Sequence, residues 1–369
     1  MVRSGFPQPR QVFLAVATFV LLTAGQLFAQ HYNRTDLTAD VAATSPTAAH
    51  LDPNLVNAWG ISRSSGSPFW ISDNGTGLST LYAGDGTPRS LVVTIPTPDG
   101  SGTAAPTGTV FNYSKSFEVA TGMPAVFLFV TEDGTISGWN PGVDGTHAIL
   151  KVNRSGKAIY KGCALAQTKD GVFLYATNFQ SGRVEVFDGN FKLVRTRELE
   201  FHGEDGRFRN YVPFNIQNVG GNLVVTFAHR APGSKDEDHG AGVGLAGIFD
   251  TRLHLLTMLE HGPWFNAPWG VAMAPADFGP FSHRLLIGNF GDGSVNAFNA
   301  VSGEHVGTML APDGSTLTID GLWAITFGSG SANGGLPTEL FFTAGPNDEG
   351  NGLFGKLTAT SSEQLGNSE

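Results

Sequence analysis

The chain has 369 residues, 49 of them glycine, with only 15% charged residues and a formal net charge of −10. That balance argues against nucleic acid, whose phosphates reward clustered lysine and arginine. Glycine at nearly twice its usual share of about 7%, with no long amphipathic helical stretch, disfavours an α/β fold and fits one compact all-β domain rich in turns.

In chain order, the first element is a leader. Arg3 and Arg10 give a positive start, Val12 to Leu22 an apolar run, and Leu27-Phe28-Ala29 a cleavage site before Gln30. This predicts a signal peptide over 1–30 and a secreted protein, periplasmic or extracellular. The apolar run is too short to span a bilayer, so no membrane attachment is expected after cleavage. Residues 31–360 then read as one domain, and 361–369 as a polar tail. The one cysteine, Cys163, rules out an intrachain disulfide and falls in an apolar strand, where buried packing is expected.

From Asn57 onward a phrase returns: NAWGIS at Asn57 to Ser62, CALAQ at Cys163 to Gln167, PFNIQ at Pro213 to Gln217, PWGVAM at Pro268 to Met273 and LWAITF at Leu322 to Phe327. The markers Trp59, Cys163, Phe214, Trp269 and Trp323 are spaced by 104, 51, 55 and 54 residues. The first gap therefore holds two repeats, with TGTVFN at Thr107 to Asn112 as the degenerate one. Six repeats of roughly 50 residues predict a six-bladed β-propeller. Each repeat continues with a second and third apolar strand (VFLYAT then RVEVFD, LLIG then SVNAFN) and, in five, a fourth (KLVRT, LHLLTM). These are four-stranded antiparallel blades. The sixth repeat runs out of chain after Gly352 to Leu357, so DLTADVA at Asp36 to Ala42 is predicted to supply its outer strand and close the ring.

In such a ring, the loop entering each inner strand and the loop between second and third strands emerge on one face around the channel. The first class offers Asn57, Lys161, Tyr211, Asn266 and Asp320; the second offers Asp73, Asn74, Glu132, Asp133, Asn178, His229, Asn289 and Asn347. Any small ligand is expected at this mouth. Asn57, Tyr211, His229 and Asn266 are the candidate ligand-binding residues, with Trp264 in HGPWFNAPWG as a stacking platform. The competing account of the Asn and Asp set is turn chemistry, since both side chains bond their own backbone. The loop from His229 to Gly244 is roughly ten residues longer than its counterparts and carries Asp236, Glu237, Asp238 and His239, which as an exposed charge run reads first as solvated.

The repeats, above all NAWGIS, YATNFQSGRVEVFD, NAPWGVAM and IGNFGDGSVNAFN, resemble an uncharacterised family of secreted bacterial proteins related to NHL-type six-bladed propellers. That resemblance implies fold and export and assigns no reaction. Related lactonase-like propellers hold a divalent metal with oxygen ligands, which implies a cation such as calcium here on Asn57, Asn178, Asn289 and Asp320. No catalytic residues are assigned, since the sequence lacks a serine nucleophile elbow, HExxH, paired CxxC and a P-loop. Whether the protein is an enzyme stays open. The favoured function is a non-catalytic binding module for a protein, glycan or other extracellular polymer, acting as a monomer. The alternative is a metal-dependent, lactonase-like hydrolase or lyase at the channel mouth.

Overall fold

The computed structural model describes residues 1–2, 31–199 and 208–361. The segment expected to be a signal peptide, apart from residues 1–2, and most of the expected polar tail lie outside them. The described chain is a ring of six antiparallel sheets with the inner strand of each blade at the channel. Inner strands are Ala58–Ser62, Pro106–Phe111, Tyr160–Thr168, Tyr211–Val219, Pro268–Met273 and Leu322–Phe327. The expected all-β fold and the degenerate second repeat are both found.

Closure is by the N-terminal strand, displaced from its expected place. Tyr32–Ala39, not Asp36 to Ala42, runs antiparallel to Leu353–Ala359, with a bulge between Asp36 and Thr38. The reason is Tyr32, whose side chain is wholly buried against Phe278 and Phe281 and whose hydroxyl donates to the Phe278 carbonyl at 2.9 Å. A second, short strand, His50–Leu51, adds in parallel on Thr38 and Ala39, which the sequence pattern did not announce.

Inner strands of adjacent blades approach closely enough to require glycine. A Cβ on Gly60 would stand 2.3 Å from the Thr107 carbonyl oxygen, and one on Gly108 would stand 2.7 Å from the Cys163 nitrogen. Side chains from first or second strands also tie several blades to the inner strand of the next. Thr107 Oγ1 donates to the Tyr160 carbonyl at 2.7 Å, Thr177 Oγ1 to Phe214 at 2.9 Å, and Asn215 Nδ2 to Trp269 at 2.8 Å. Thr343 Oγ1 donates to the Trp59 carbonyl and so joins the last blade to the first. Most apolar clusters lie between neighbouring blades. One lies at the centre, where Trp59, Trp269, Trp323, Phe179 and Phe214 are packed together. Trp59 and Phe290 stack on the two sides of this group against Trp323, at 3.6 and 3.9 Å between centroids. This aromatic plug floors the loop-bearing mouth.

Candidate functional site at the channel mouth

Above the plug stands Lys161, from the start of the third inner strand, with only 2% of its side chain exposed. Its ammonium lies 5.0 Å from the Trp59 ring and 5.4 Å from that of Phe179. A cation so far from water needs carboxylates. Glu132 Oε1, from the second blade, is 2.7 Å away; Asp236 and Glu237, from the long loop of the fourth, each approach to 3.7 Å. Burial works against the lysine's charge, but Glu132 and Glu237 outweigh it and hold the ammonium above its ordinary range.

The Glu237 side chain is 4% exposed, and its Oε2 has the Lys161 charge nearby but no hydrogen-bond donor. Burial would raise its carboxyl, yet Lys161 and His239 bring it below the usual value. The long loop that delivers it is pinned along its length. His229 Nδ1 meets Asp238 Oδ2 at 2.5 Å, Asn266 Oδ1 accepts the Gly240 amide at 2.7 Å, and the His239 ring packs edge-on to Phe290. The apparently solvated acidic run is in part a plug component.

The sixth blade adds Glu349. It ends a run of three residues, Asn347, Asp348 and Glu349, with φ of 58, 53 and 62°. Side chains with a Cβ disfavour this left-handed region by about 1–2 kcal/mol each. Such a run persists only where its surroundings hold it. Here Asp320 Oδ2 accepts the Asn347 amide at 2.9 Å, and the Asn351 side-chain amide donates to Asp40 Oδ2 at 2.6 Å. The result aims the Glu349 carboxylate inward, where Asn57 Nδ2 donates to it at 3.1 Å. Burial, then the nearby Glu237 charge, lift its carboxyl to about 7.

Asn57 is the hub. Its Oδ1 accepts the indole N–H groups of both Trp59 and Trp323, at 3.0 and 2.9 Å, while its Nδ2 reaches Glu349 and, at 3.3 Å, Asn74. Asn74 in turn donates to Glu132 Oε2 at 3.0 Å. One lysine thus sits among Glu132, Asp236, Glu237 and Glu349. Beside them a cleft of about 430 Å³ opens among loops of the second, third and fourth blades, lined by Glu132, Asp133, Asp236, Lys235, Gln180 and Ser155.

Of the mouth residues offered by the sequence, Lys161, Asn74 and Glu132 belong to this cluster, and of the candidate ligand-binding residues Asn57 does. Tyr211, His229 and Asn266 belong to the support of the long loop, Tyr211 through its ring against His229 at 5.3 Å. Trp264 lies flat on His305 at 4.0 Å and donates its N–H to the Glu260 carbonyl, which occupies one ring face with packing inside the fifth blade. The four oxygen donors proposed for a cation are not gathered at one point by any shared contact. Asn178 bonds Lys157 and Glu185 within its own blade, Asn289 bonds Trp264 and Ser294, and Asp320 is exposed on the sixth-blade loop. Asp73 is buried inside the first blade, where burial pushes its carboxyl well above the ordinary range. No group of three or more His, Cys, Asp or Glu able to hold a metal ion occurs among the described residues.

Sequence reasoning missed Glu349. In the sequence pattern Asn347 stands for that loop, although Glu132, Glu237 and Glu349 all come from the same loop class, between second and third strands. Loop length differs from blade to blade, so the three do not align by position.

Fold and mouth together define a six-bladed β-propeller with an acid-rich, lysine-centred site on its loop-bearing face. The chain belongs to a family of uncharacterised propeller proteins that includes L690 of Acanthamoeba polyphaga mimivirus, 31% identical over 327 residues that span 84% of this chain and 82% of the relative. No family model matches the chain. Among solved structures, a structural genomics protein of unknown function from Bacteroides thetaiotaomicron shares the fold with a TM-score of 0.54 at 13% identity, covering 89% of this chain and 76% of that one. A streptogramin B lyase, at 13% identity, covers 89% and 98% with a TM-score of 0.48, a likeness of fold alone. The resemblance to NHL-type propellers pointed to bacterial, exported relatives. L690 and the other matching relatives are viral, so neither bacterial origin nor export follows from kinship.

Proposed function

We propose that this protein is a binding module whose loop-bearing mouth takes a ligand presenting cationic or hydroxyl groups, as a basic peptide side chain or a glycan does. The observation that carries this reading is the excess of carboxylates over the single buried Lys161, next to an open cleft with Glu132, Asp133 and Asp236 on its walls. Carboxylates and an amide such as Gln180 accept hydrogen bonds from hydroxyl and ammonium donors, and a rigid ring holds them at fixed spacing. A glycan or basic-peptide array with the purified chain tests it, followed by calorimetry on Glu132→Gln with Asp133→Asn. Affinity should fall at least about tenfold for loss of two charge-assisted contacts. An unchanged affinity refutes the site.

A second reading has one observation in its favour. Glu349, with a carboxyl near neutrality beside a buried ammonium, is a group able to exchange a proton at physiological pH, which a hydrolase or lyase requires. Turnover lost in Glu349→Gln but not in Glu132→Gln would support it. The setting we propose is outside the cytoplasm, on the strength of the 1–30 leader alone. Among the described residues no helix is long and apolar enough to cross a membrane.

A further inference from the structure

The protein's cations are unevenly placed. Of 22 lysines and arginines, 14 fall between residues 151 and 252, in a chain whose net charge is −10. Most of the paired ones are accounted for by neighbours, as Arg154 is by Glu185 and Arg183 by Glu198. Three others meet in one groove of about 180 Å³ where the third blade abuts the fourth.

Register explains the convergence. Tyr175, Val186 and Arg195 lie opposite one another on consecutive strands of the third blade, forming a row that crosses the sheet outward on one side. Lys169 comes from the tight turn joining inner and second strands of that blade, between Thr168 and Gly171. Arg252 comes from the turn that follows the third strand of the fourth blade, Leu245–Phe249. The Tyr175 hydroxyl donates to the Thr251 carbonyl at 2.8 Å and fixes the two blades against each other at the groove floor. Both turns lie on the face opposite the mouth, where no ligand was expected.

Lys169, Arg195 and Arg252 are exposed, and none makes an ion pair or side-chain hydrogen bond among the described residues. Asp170 is the one carboxylate lining the groove, which leaves an excess of positive charge. The nearby Asp250 is already engaged by His254 Nδ1 at 3.0 Å. Phe173, half-buried, adds a ring beside these cations. Unpaired guanidinium groups present planar forks suited to carboxylate or sulfate, and an aromatic ring beside them suits the apolar face of a sugar.

We infer that this groove between the third and fourth blades is a second binding site, which takes an acidic sugar unit of an anionic polysaccharide. Its small size and enclosure by an otherwise acidic protein favour one ring-sized unit over a nucleic acid strand, whose evenly spaced phosphates call for a long basic track. The site does not rest on the reading given to the mouth.

The experiment uses the full chain and three probes: heparin, carrying sulfate and carboxylate; polygalacturonate, carrying carboxylate alone; and neutral dextran. At low salt one or both polyanions should bind and dextran should not, with affinity weakening as salt rises. Arg195→Ala with Arg252→Ala should lower affinity at least about tenfold, since each charge-assisted contact is worth about that factor. Arg195→Lys with Arg252→Lys should recover part of it, and the melting temperature should stay unchanged because all of these side chains are exposed. Glu132→Gln, at the mouth, should bind the polyanions as the parent does, so a failure of either site is seen separately. The inference is overturned if neither polyanion binds, if the alanine pair binds as the parent does, if dextran binds equally, or if a single-stranded oligonucleotide binds more tightly than both polysaccharides.

Discussion

Replacing Glu349 by glutamine should stabilise the protein, and only above a definite pH. The Asn57 Nδ2 bond to Oε2 survives in the amide, so shape and that contact are kept while the charge goes. Burial and the Glu237 charge raise the carboxyl from its ordinary 4.5 to about 7. A carboxyl with a raised folded value binds its proton more tightly folded than unfolded. Stability is therefore fully present below the unfolded value and falls as pH climbs from 4.5 to 7, after which the loss is constant. The full displacement corresponds to about 3 kcal/mol, and partial solvent access reduces this to roughly 1.5–2 kcal/mol. For a chain of this size the unfolding entropy is about 0.8 kcal/mol per degree, so the effect is about 2 °C. Thermal melts followed by circular dichroism should coincide for parent and variant at pH 4 and separate in the variant's favour by pH 8.5. A variant that melts lower at pH 8.5, or a difference independent of pH, would refute the placement of Glu349 among like charges.

Lys161→Met should do the reverse, lowering stability by about 3–5 kcal/mol at neutral pH because it strands Glu132 and Glu237 without their cation; a melt lowered by less than about 2 °C would contradict the buried cluster. Tyr32→Ala should cost about 3–5 kcal/mol in urea titrations, since it removes the wholly buried ring that seats the closing strand between Phe278 and Phe281. The Cys163 thiol, buried and pushed up by that burial, should resist a thiol reagent in the native protein and react once per chain in denaturant. Rapid native labelling would place that inner strand wrongly.

The ring was legible because it is written in repetition. Trp59, Trp269 and Trp323 recur with the glycine that follows or the apolar strand that continues them, and turn residues mark the joints, so blade number and strand order follow from spacing. The closing strand was legible as a deficit in the sixth repeat. Its register was not, because the deciding residue, Tyr32, makes its contacts with Phe278 and Phe281 almost 250 positions away. The mouth was half legible. Position in the repeat brought Asn57, Lys161 and Glu132 to one face, but which of them meet depends on loops outside the repeat. Glu237 arrives on the long insertion and Glu349 through three left-handed residues, and neither periodicity nor propensity carries that information. Asn178 and Asn289 illustrate the opposite case, where turn and intra-blade bonding absorbs side chains that recurrence alone made conspicuous.

Because residues 32–39 pair with 353–359, the first strand of the ring finds its partner only in the last strand of the ring. Every blade before the sixth can be assembled while that strand waits, but the circle cannot lock until residues 353–359 have been made. Contacts this distant in sequence form late and make folding slow. The same seam then acts as a proofreading device. A chain truncated just before residue 353 keeps its first five blades yet exposes two raw sheet edges, which invites recognition by proteases or association with other chains. In the finished ring those edges are hidden in each other, and opening them means breaking one long-range pairing before any blade can peel away, a route to slow unfolding that does not depend on greater equilibrium stability.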